Sequence, residues 1–597
     1  MVIYQNHLPT LRFIICSLLF VGTGCQSSGQ KNQDESDWPG KRKVPEAIME
    51  ALPASPDTIA QTTHFQFFGY GEIDRTISQA FIQTLETSIT KIESFAGKRI
   101  GPSPIHCFFY PTQEIKGLML QNSAPCQLDV EKREIHLVVN NIFADHYLGK
   151  SNELLLADLL GAPNTYALQA GTAIFFSEKW QKMGYPYWAG KLLAANQLPD
   201  LGDLLNNQKW EPGSDLIYGS AAAAFCDFLI NRFGNHVFLE KYKNWNFSPF
   251  EISTLEPDWK AYCSKWIKIA HTSATSPLTP YLKGFNFAHE GYRIYNGYGS
   301  RKAQQSLDQL KALGTNTVAI IPYSFTRHPK MPDPIPVVKR AGTENDESVI
   351  QSAEYAQSLG FSIVIKPQIW VGRGMWTGDI EMGSDADWEL FFKHYGHWVS
   401  HYAMLAEIYG WEMLCIGTEL VQTSLQRENN WRQLIEDIRS LYHGSVTYAA
   451  NWGDEFENVT FWEDLDFIGL NCYYPLSKKE NPSDRELKKG FALVIDKIEK
   501  VNARYNKPVI FTEIGFPCIK AAWKEPHMDW GEFETNSDHQ RRCYEVVFNG
   551  IHNKPWCKGI LWWKYPSDVD QNRRRETGFT PLNKAAENVV AKWFSQL

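Results

Sequence analysis

From about residue 280 to the end of the chain, short apolar runs alternate with longer amphipathic ones. The apolar runs predict strands over residues 284–287, 316–321, 361–369, 412–416, 446–451, 466–472, 508–512 and 559–563. Helical periodicity follows them over 302–313, 348–359, 388–409, 431–442, 485–505 and 540–553. Such alternation predicts a parallel sheet. Eight units within about 320 residues fit a (β/α)8 TIM barrel. An open doubly wound sheet would carry a glycine-rich phosphate turn after its first strand, and none follows here.

Upstream, residues 46–272 read as a mixed, mainly helical accessory domain of an α/β protein. Strands are expected over 105–110 and 134–139, and helices over 152–160, 166–183 and 220–233. A Thr/Ser/Pro stretch over 271–280 breaks both periodicities and marks the boundary to the barrel, residues 280–597. Residues 26–45 are polar, with almost nothing apolar, and suit a flexible tether. Before them, Arg12 leads into an apolar run over 13–21, the length of a signal core and too short to span a bilayer. Gly22-Thr23-Gly24-Cys25 follows, with Gly22 where an aliphatic residue is usual. This start, residues 1–25, resembles a bacterial lipoprotein signal. The resemblance implies lipidation of Cys25 and a membrane-anchored protein of the cell envelope, at the outer membrane or the periplasmic face.

At 597 residues two domains are the natural division. A formal net charge of −8 offers no surface for nucleic acid. None of the 11 cysteines forms a CxxC pair, and most sit inside apolar patterns, so they read as small core residues. Of the 21 tryptophans, 14 follow residue 276, where flat aromatic faces could serve as platforms for sugar rings.

TIM-barrel chemistry gathers at the C-terminal strand ends. The third strand ends Lys366-Pro367-Gln368-Ile369-Trp370, the fifth Asn451-Trp452, the sixth Asn471-Cys472-Tyr473-Tyr474, and the eighth Trp562-Trp563-Lys564. The fourth ends Thr418-Glu419 and the seventh Thr512-Glu513. Two strand-end glutamates suit a retaining glycosidase, in which one carboxyl group attacks the anomeric carbon and the other protonates the leaving oxygen. Strand alternation puts Asn471 and Tyr473 on one face, which favours Tyr473 over Tyr474 as a donor to Glu513. The expected sugar contacts are Lys366, Trp370, Thr418, Asn451, Trp452, Asn471, Tyr474, Trp562 and Trp563. No metal or cofactor is needed. His394, His397 and His401 share a helical face and read as packed or solvated rather than metal-binding.

Glu419 on the fourth strand and Glu513 on the seventh resemble clan A of the glycoside hydrolases. The motifs Ile416-Gly417-Thr418-Glu419-Leu420, Thr447-Tyr448-Ala449-Ala450-Asn451-Trp452, Tyr473-Tyr474-Pro475-Leu476, Thr512-Glu513-Ile514-Gly515 and Trp562-Trp563-Lys564 resemble glycoside hydrolase family 113. The resemblance covers residues 280–595. It implies Glu419 as acid/base, Glu513 as nucleophile, and a β-1,4-mannan substrate. Three positions depart from the pattern: Thr418 stands where many clan A enzymes have asparagine, Gln368 where histidine is expected, and Asn583-Lys584-Ala585-Ala586 where the pattern closes Gly-Lys-Pro-Ala.

The accessory segment Tyr166 onward, with Ile217 to Leu229 and Arg232-Phe233-Gly234, resembles the helical part of gluzincin metallopeptidases. Its upstream helix has Glu153 and Asp158 without histidine, and Ala170 occupies the position of the glutamate ligand, so no zinc is held. Another β-glycan as substrate, and a glycan-binding protein without turnover, are the alternatives.

Overall fold

The computed structural model describes residues 44–143, 148–177, 180–288, 291–342, 344–528, 531–572 and 576–597. Cys25, the His289-Glu290 pair and Arg573 to Arg575 lie outside them. Eight parallel strands close into a barrel. In chain order they are Leu282–Ala288, Thr317–Ile320, Ser362–Ile365, Met413–Thr418, Ser445–Asn451, Phe467–Cys472, Val509–Ile514 and Cys557–Pro566. Each pairs with its neighbours in the chain, and the eighth closes on the first. Helices Arg301–Ala312, Asp346–Ser358, Asp385–Tyr409, Glu428–Leu441, Asp484–Tyr505 and Ser537–Ile551 lie between strands, and Ala585–Phe594 ends the barrel.

Alternation along each strand divides the core in two. Leu282, Ala319, Val364, Met413, Ile510 and Leu561 form a separate apolar plug at the N-terminal end of the barrel. Residues one strand period further on, Gly284, Lys366, Cys415, Thr512 and Trp563, therefore face inward above it. The opposite set packs on the helices, except at the seventh strand, where the ladder shifts register at Thr512 and brings Glu513 opposite Asn471. The long third strand expected over 361–369 is instead two short strands, Ser362–Ile365 and Gln368–Val371, interrupted at Lys366-Pro367. Proline has no N–H for a ladder, so the barrel strand stops there. The second piece pairs with Tyr323–Thr326, forming a two-stranded parallel ribbon above the barrel mouth.

The accessory domain contains more sheet than expected. Its five strands lie in the order Asp57–Gln61, Phe65–Gly69, Ile105–Tyr110, Glu134–Val138 and Cys126–Asp129, with both edges antiparallel. The helix Arg75–Ala96 connects two parallel strands and buries Phe81, Leu85, Ile89 and Ile92. The single helix expected over 166–183 ends at Phe175. Its apolar pattern continues because the following turn is itself buried, with Trp180 donating to Ser220 Oγ at 3.2 Å. Helix Asp215–Lys241 is longer than expected and kinks at Gly234. It packs tightly on helix Tyr166–Phe175: a Cβ on Gly171 would lie 2.4 Å from the Ala222 carbonyl oxygen.

Apolar side chains of both domains form one continuous cluster. Polar bridges reinforce it. Ser123 Oγ donates to Glu347 Oε1 at 2.9 Å, Asn196 Nδ2 donates to Asp437 Oδ1 at 3.1 Å, and Lys339 Nζ donates to Asp215 Oδ1 at 2.7 Å. His401 is fully buried between Ser214 Oγ and Asp346 Oδ1, each 2.8 Å from a ring nitrogen. Although the three residues form a Ser-His-Asp sequence of contacts, Ser214 is fully buried and its oxygen caps a helix by accepting the Ile217 N–H. This is a seam fastening. His401→Ala should lower stability by ~1–3 kcal/mol through one stranded buried hydroxyl, Ser214, and a lost bond to the partly exposed Asp346, seen as a lower denaturant midpoint, with the carboxylate site unaltered.

Candidate active site

Glu419 stands one residue beyond the fourth barrel strand with a left-handed backbone, φ 52°. Such a conformation is uncommon for glutamate and needs external support. Its N–H donates to the Ala449 carbonyl at 2.9 Å, and the Leu420 N–H donates to Tyr448 Oη at 2.8 Å. Tyr448 Oη in turn donates to buried Glu455, which also accepts from Ser424 Oγ at 2.6 Å. Gly417 is required by packing, since a Cβ there would lie 2.7 Å from the Tyr448 ring and 2.9 Å from Trp431. The Gly-Thr-Glu motif is thus a close-packed strand end followed by a braced turn.

Glu513 lies within the seventh strand, opposite Asn471 of the sixth. Its Oε2 accepts from Tyr473 Oη at 2.8 Å, and Oε1 accepts from Gln368 Nε2 at 3.1 Å and from Lys366 Nζ. Lys366 is 0% exposed and also donates to Asn286 Oδ1 at 3.1 Å. Asn286 Nδ2 donates to the Thr512 and Leu561 carbonyls at 3.0 and 3.1 Å, joining strand one to strands seven and eight. Asn471 ties Glu419 to the seventh strand: its Nδ2 donates to Glu419 Oε1 at 3.0 Å and its Oδ1 accepts from Thr512 Oγ1 at 2.9 Å. Burial first and the Glu513 charge second push Glu419 up to about 7, against hydrogen bonds from Asn471 and Trp376 and the Lys366 charge. Two carboxyl groups in unlike environments can divide proton donation from anionic attack.

The other expected contacts separate into groups. Trp370 is 59% exposed on the ribbon beside Tyr323, with ring centroids 5.4 Å apart, and Trp563 lies within 5.5 Å of Lys366 Nζ on the site floor. Thr418 and Asn451 are half-buried at strand ends, and the Asn451 N–H donates to Glu455 Oε2 at 2.5 Å. Trp452 meets the Tyr474 ring edge-on at 5.2 Å. Tyr474 turns away from the carboxyls, as alternation after Tyr473 demands, and its hydroxyl accepts from the Gly453 N–H at 2.9 Å. Lys366 is an ion-pair partner beneath Glu513 rather than an open contact for sugar.

Trp562 is a correction. It is 0% exposed and stacks on Tyr544 of the outer helix at 3.8 Å, because its neighbour Trp563 takes the inward position on the eighth strand. Asn286, Gln368 and Trp376 were missed as site residues. The departure at Gln368 was visible in the sequence but its donation to Glu513 was not, and Trp376 lies in a loop without periodicity.

Where the peptidase-like helices would carry ligands, Glu153 accepts from Lys150 Nζ at 2.7 Å and from Gln169 Nε2 at 3.0 Å. Ala170 is buried. Among the described residues no group of three or more His, Cys, Asp or Glu side chains could hold a metal ion. A cavity of about 240 Å³ lies there, closed from the barrel side by Val337, Lys339, Glu347 and Tyr409.

A carboxyl pair at the ends of strands four and seven of a TIM barrel defines a glycoside hydrolase. The model of Glycoside Hydrolase Family 113 matches residues 286–584, half of the chain. The chain belongs to that family. Solved structures similar to it include a GH113 β-1,4-mannanase in a complex, 26% identical over 53% of this chain and 100% of that one, with a TM-score of 0.47. The GH113 β-mannanase AaManA of Alicyclobacillus acidocaldarius in complex with ManMIm is 28% identical over 54% of this chain and 99% of that one, TM-score 0.47. A Ruminococcus gnavus β-glucuronidase is 17% identical over 53% and 50% of the two chains, TM-score 0.36. No curated protein matches the chain.

The division of the tryptophan pair has a direct consequence. Trp562→Ala should cost ~3–5 kcal/mol of stability as a core truncation, whereas Trp563→Ala should mainly impair hydrolysis; denaturant melts and rates of the two variants check this.

Proposed function

We propose that the chain hydrolyses β-1,4-linked mannan or manno-oligosaccharides with retention of configuration. The observation that carries the reading is the unlike wiring of the two carboxyls: Glu419 accepts from Asn471 and Trp376, and Glu513 from Lys366, Tyr473 and Gln368. In the first step Glu513 Oε attacks the anomeric carbon while Glu419 gives its proton to the glycosidic oxygen as that C–O bond breaks. A proton donor pushed up to about 7 by burial suits that role. The donors from Lys366, Tyr473 and Gln368 orient the attacking carboxylate, with Tyr473 nearest the reacting side. Water then cleaves the glycosyl ester, losing a proton to Glu419, and the free sugar leaves with Glu513 restored. Trp370, Trp452 and Trp563 serve as faces for sugar rings, and Thr418 and Asn451 as hydroxyl partners; the fully buried Asn471, expected to contact sugar, instead holds Glu419. The mannan preference rests on the family resemblance, and other β-glycans belong in the test.

The test is product release from mannan, glucomannan, cellulose and xylan oligosaccharides, with anomeric configuration followed by NMR. Manno-oligosaccharides should be cleaved with retention. Glu513→Ala should abolish cleavage, and Glu419→Ala should reduce it by ~10²–10⁴. Because the acid must be protonated, kcat/KM should fall as pH rises through about 7. Binding without cleavage of any glycan would overturn the enzymatic reading.

We also infer that Cys25 is lipidated and tethers the barrel to the bacterial envelope, from the charge, apolar run and cysteine that precede the polar 26–45 stretch. Cys25→Ser should move the protein from the membrane to the soluble fraction and abolish incorporation of labelled palmitate.

A further inference from the structure

Residues 371–384 cross the mouth of the barrel between the ribbon and helix Asp385–Tyr409. They form two short 3-10 turns, Gly372–Gly374 and Thr377–Asp379, and Trp376 stands between them. Its indole N–H donates to Glu419 Oε2 at 3.1 Å, yet the residue is 43% exposed. The other carboxyl oxygen accepts from the fully buried Asn471. One oxygen of Glu419 is therefore held by the barrel interior and the other by a surface loop.

The loop is itself anchored. The Glu381 N–H donates to the Pro329 carbonyl at 3.0 Å. Gln426 Nε2 donates to Glu381 Oε1 at 2.9 Å, tying the loop to the helix Val421–Gln426 that begins two residues after Glu419. Gly378 underlies the indole, and a Cβ on it would lie 2.5 Å from two ring carbons. The absence of that methyl group lets the ring rest on the turn while the residue stays 43% exposed.

We propose that Trp376 is a positioning residue for the leaving-group side of the reaction, its N–H holding Glu419 Oε2 while its open face stacks on the departing sugar ring. The inference rests on Glu419 being the acid/base. The proton still passes from Glu419 to the glycosidic oxygen as the C–O bond breaks, and Trp376 gives up none. A leaving saccharide gains both contacts, whereas an aryl leaving group that departs as its anion needs neither.

The groups facing Glu419 are Glu513, whose charge raises its pKa, Lys366, whose charge lowers it, and buried Glu455 behind it. Asn471 and Trp376 supply the hydrogen bonds that lower it. Removing the indole N–H takes away one donor that favours the carboxylate, so Glu419 should hold its proton to higher pH.

The experiment compares Trp376→Phe and Gly378→Ala with the wild type on the oligosaccharide that is cleaved and on its dinitrophenyl glycoside. In Trp376→Phe the loss of kcat/KM on the oligosaccharide should exceed that on the aryl glycoside by ~10-fold. Its basic limb should move up by ~0.5–1 pH unit. A carboxyl titration of Glu419 by 13C NMR reads the same shift without substrate. Gly378→Ala keeps the N–H but displaces the ring, and should show the same preference for the aryl substrate. Equal losses on both substrates, or an unmoved titration in Trp376→Phe, would overturn the inference. Glu419→Ala with azide tests the underlying reading separately: rescue of aryl glycoside cleavage supports the acid/base role whatever Trp376 does, and no rescue removes both.

Discussion

A carboxylate 6% exposed inside a closed barrel has to be met by donors, and Glu513 is met by Lys366, Gln368 and Tyr473. Lys366 supplies the opposite charge from strand three, and it too is inaccessible. Neither charge could be buried alone. Asn286 completes the arrangement by accepting from Lys366 and donating to carbonyls of strands seven and eight. The contact that holds the anion thus also holds the barrel where its last strands close on its first. Gly515 shows the same tightness just beyond Glu513, since a Cβ there would lie 2.4 Å from the Trp563 carbonyl oxygen.

Glu419 depends on that arrangement from the other side. Among the described residues no cation contacts it directly, and its carboxyl accepts from the neutral donors Asn471 and Trp376. Its neighbours are a buried anion and apolar walls, so its proton is retained towards neutral pH. The carboxyls differ in wiring: Lys366 contacts Glu513 directly, whereas on Glu419 its charge ranks behind burial, the Glu513 charge and the two hydrogen bonds.

Much of this was legible in the chain. Parallel strands buried on both faces read as continuous apolar runs, and a glutamate ending two of them is conspicuous. Asn471 and Tyr473 could be placed on one face by alternation, and each donates to a carboxyl oxygen. Alternation was less help at the Trp562-Trp563 pair, where one ring must face the helices and composition does not say which. Pro367 divided a run that hydropathy joins. Lys366 looked like an open polar strand end because nothing in its own neighbourhood reveals a partner 147 positions away. Trp376 belongs to a loop, where neither period operates, and only the folded chain places its N–H on Glu419. The accessory edge strands Asp57–Gln61 and Cys126–Asp129 are short and partly exposed, too weak in pattern to distinguish from turns.

The accessory domain is held by close helix packing. Gly171 against Ala222 permits two helices to touch at backbone distance, a geometry that any larger residue would open. On the face where the peptidase resemblance would require metal ligands, Glu153 is engaged by Lys150, Tyr166 and Gln169, and Ala170 offers no donor atom. The barrel then occupies the approach with Val337, Lys339 and Glu347. The helices therefore meet the barrel through a continuous apolar cluster and a set of polar bridges, and the carboxyl pair lies at the C-terminal ends of the barrel strands.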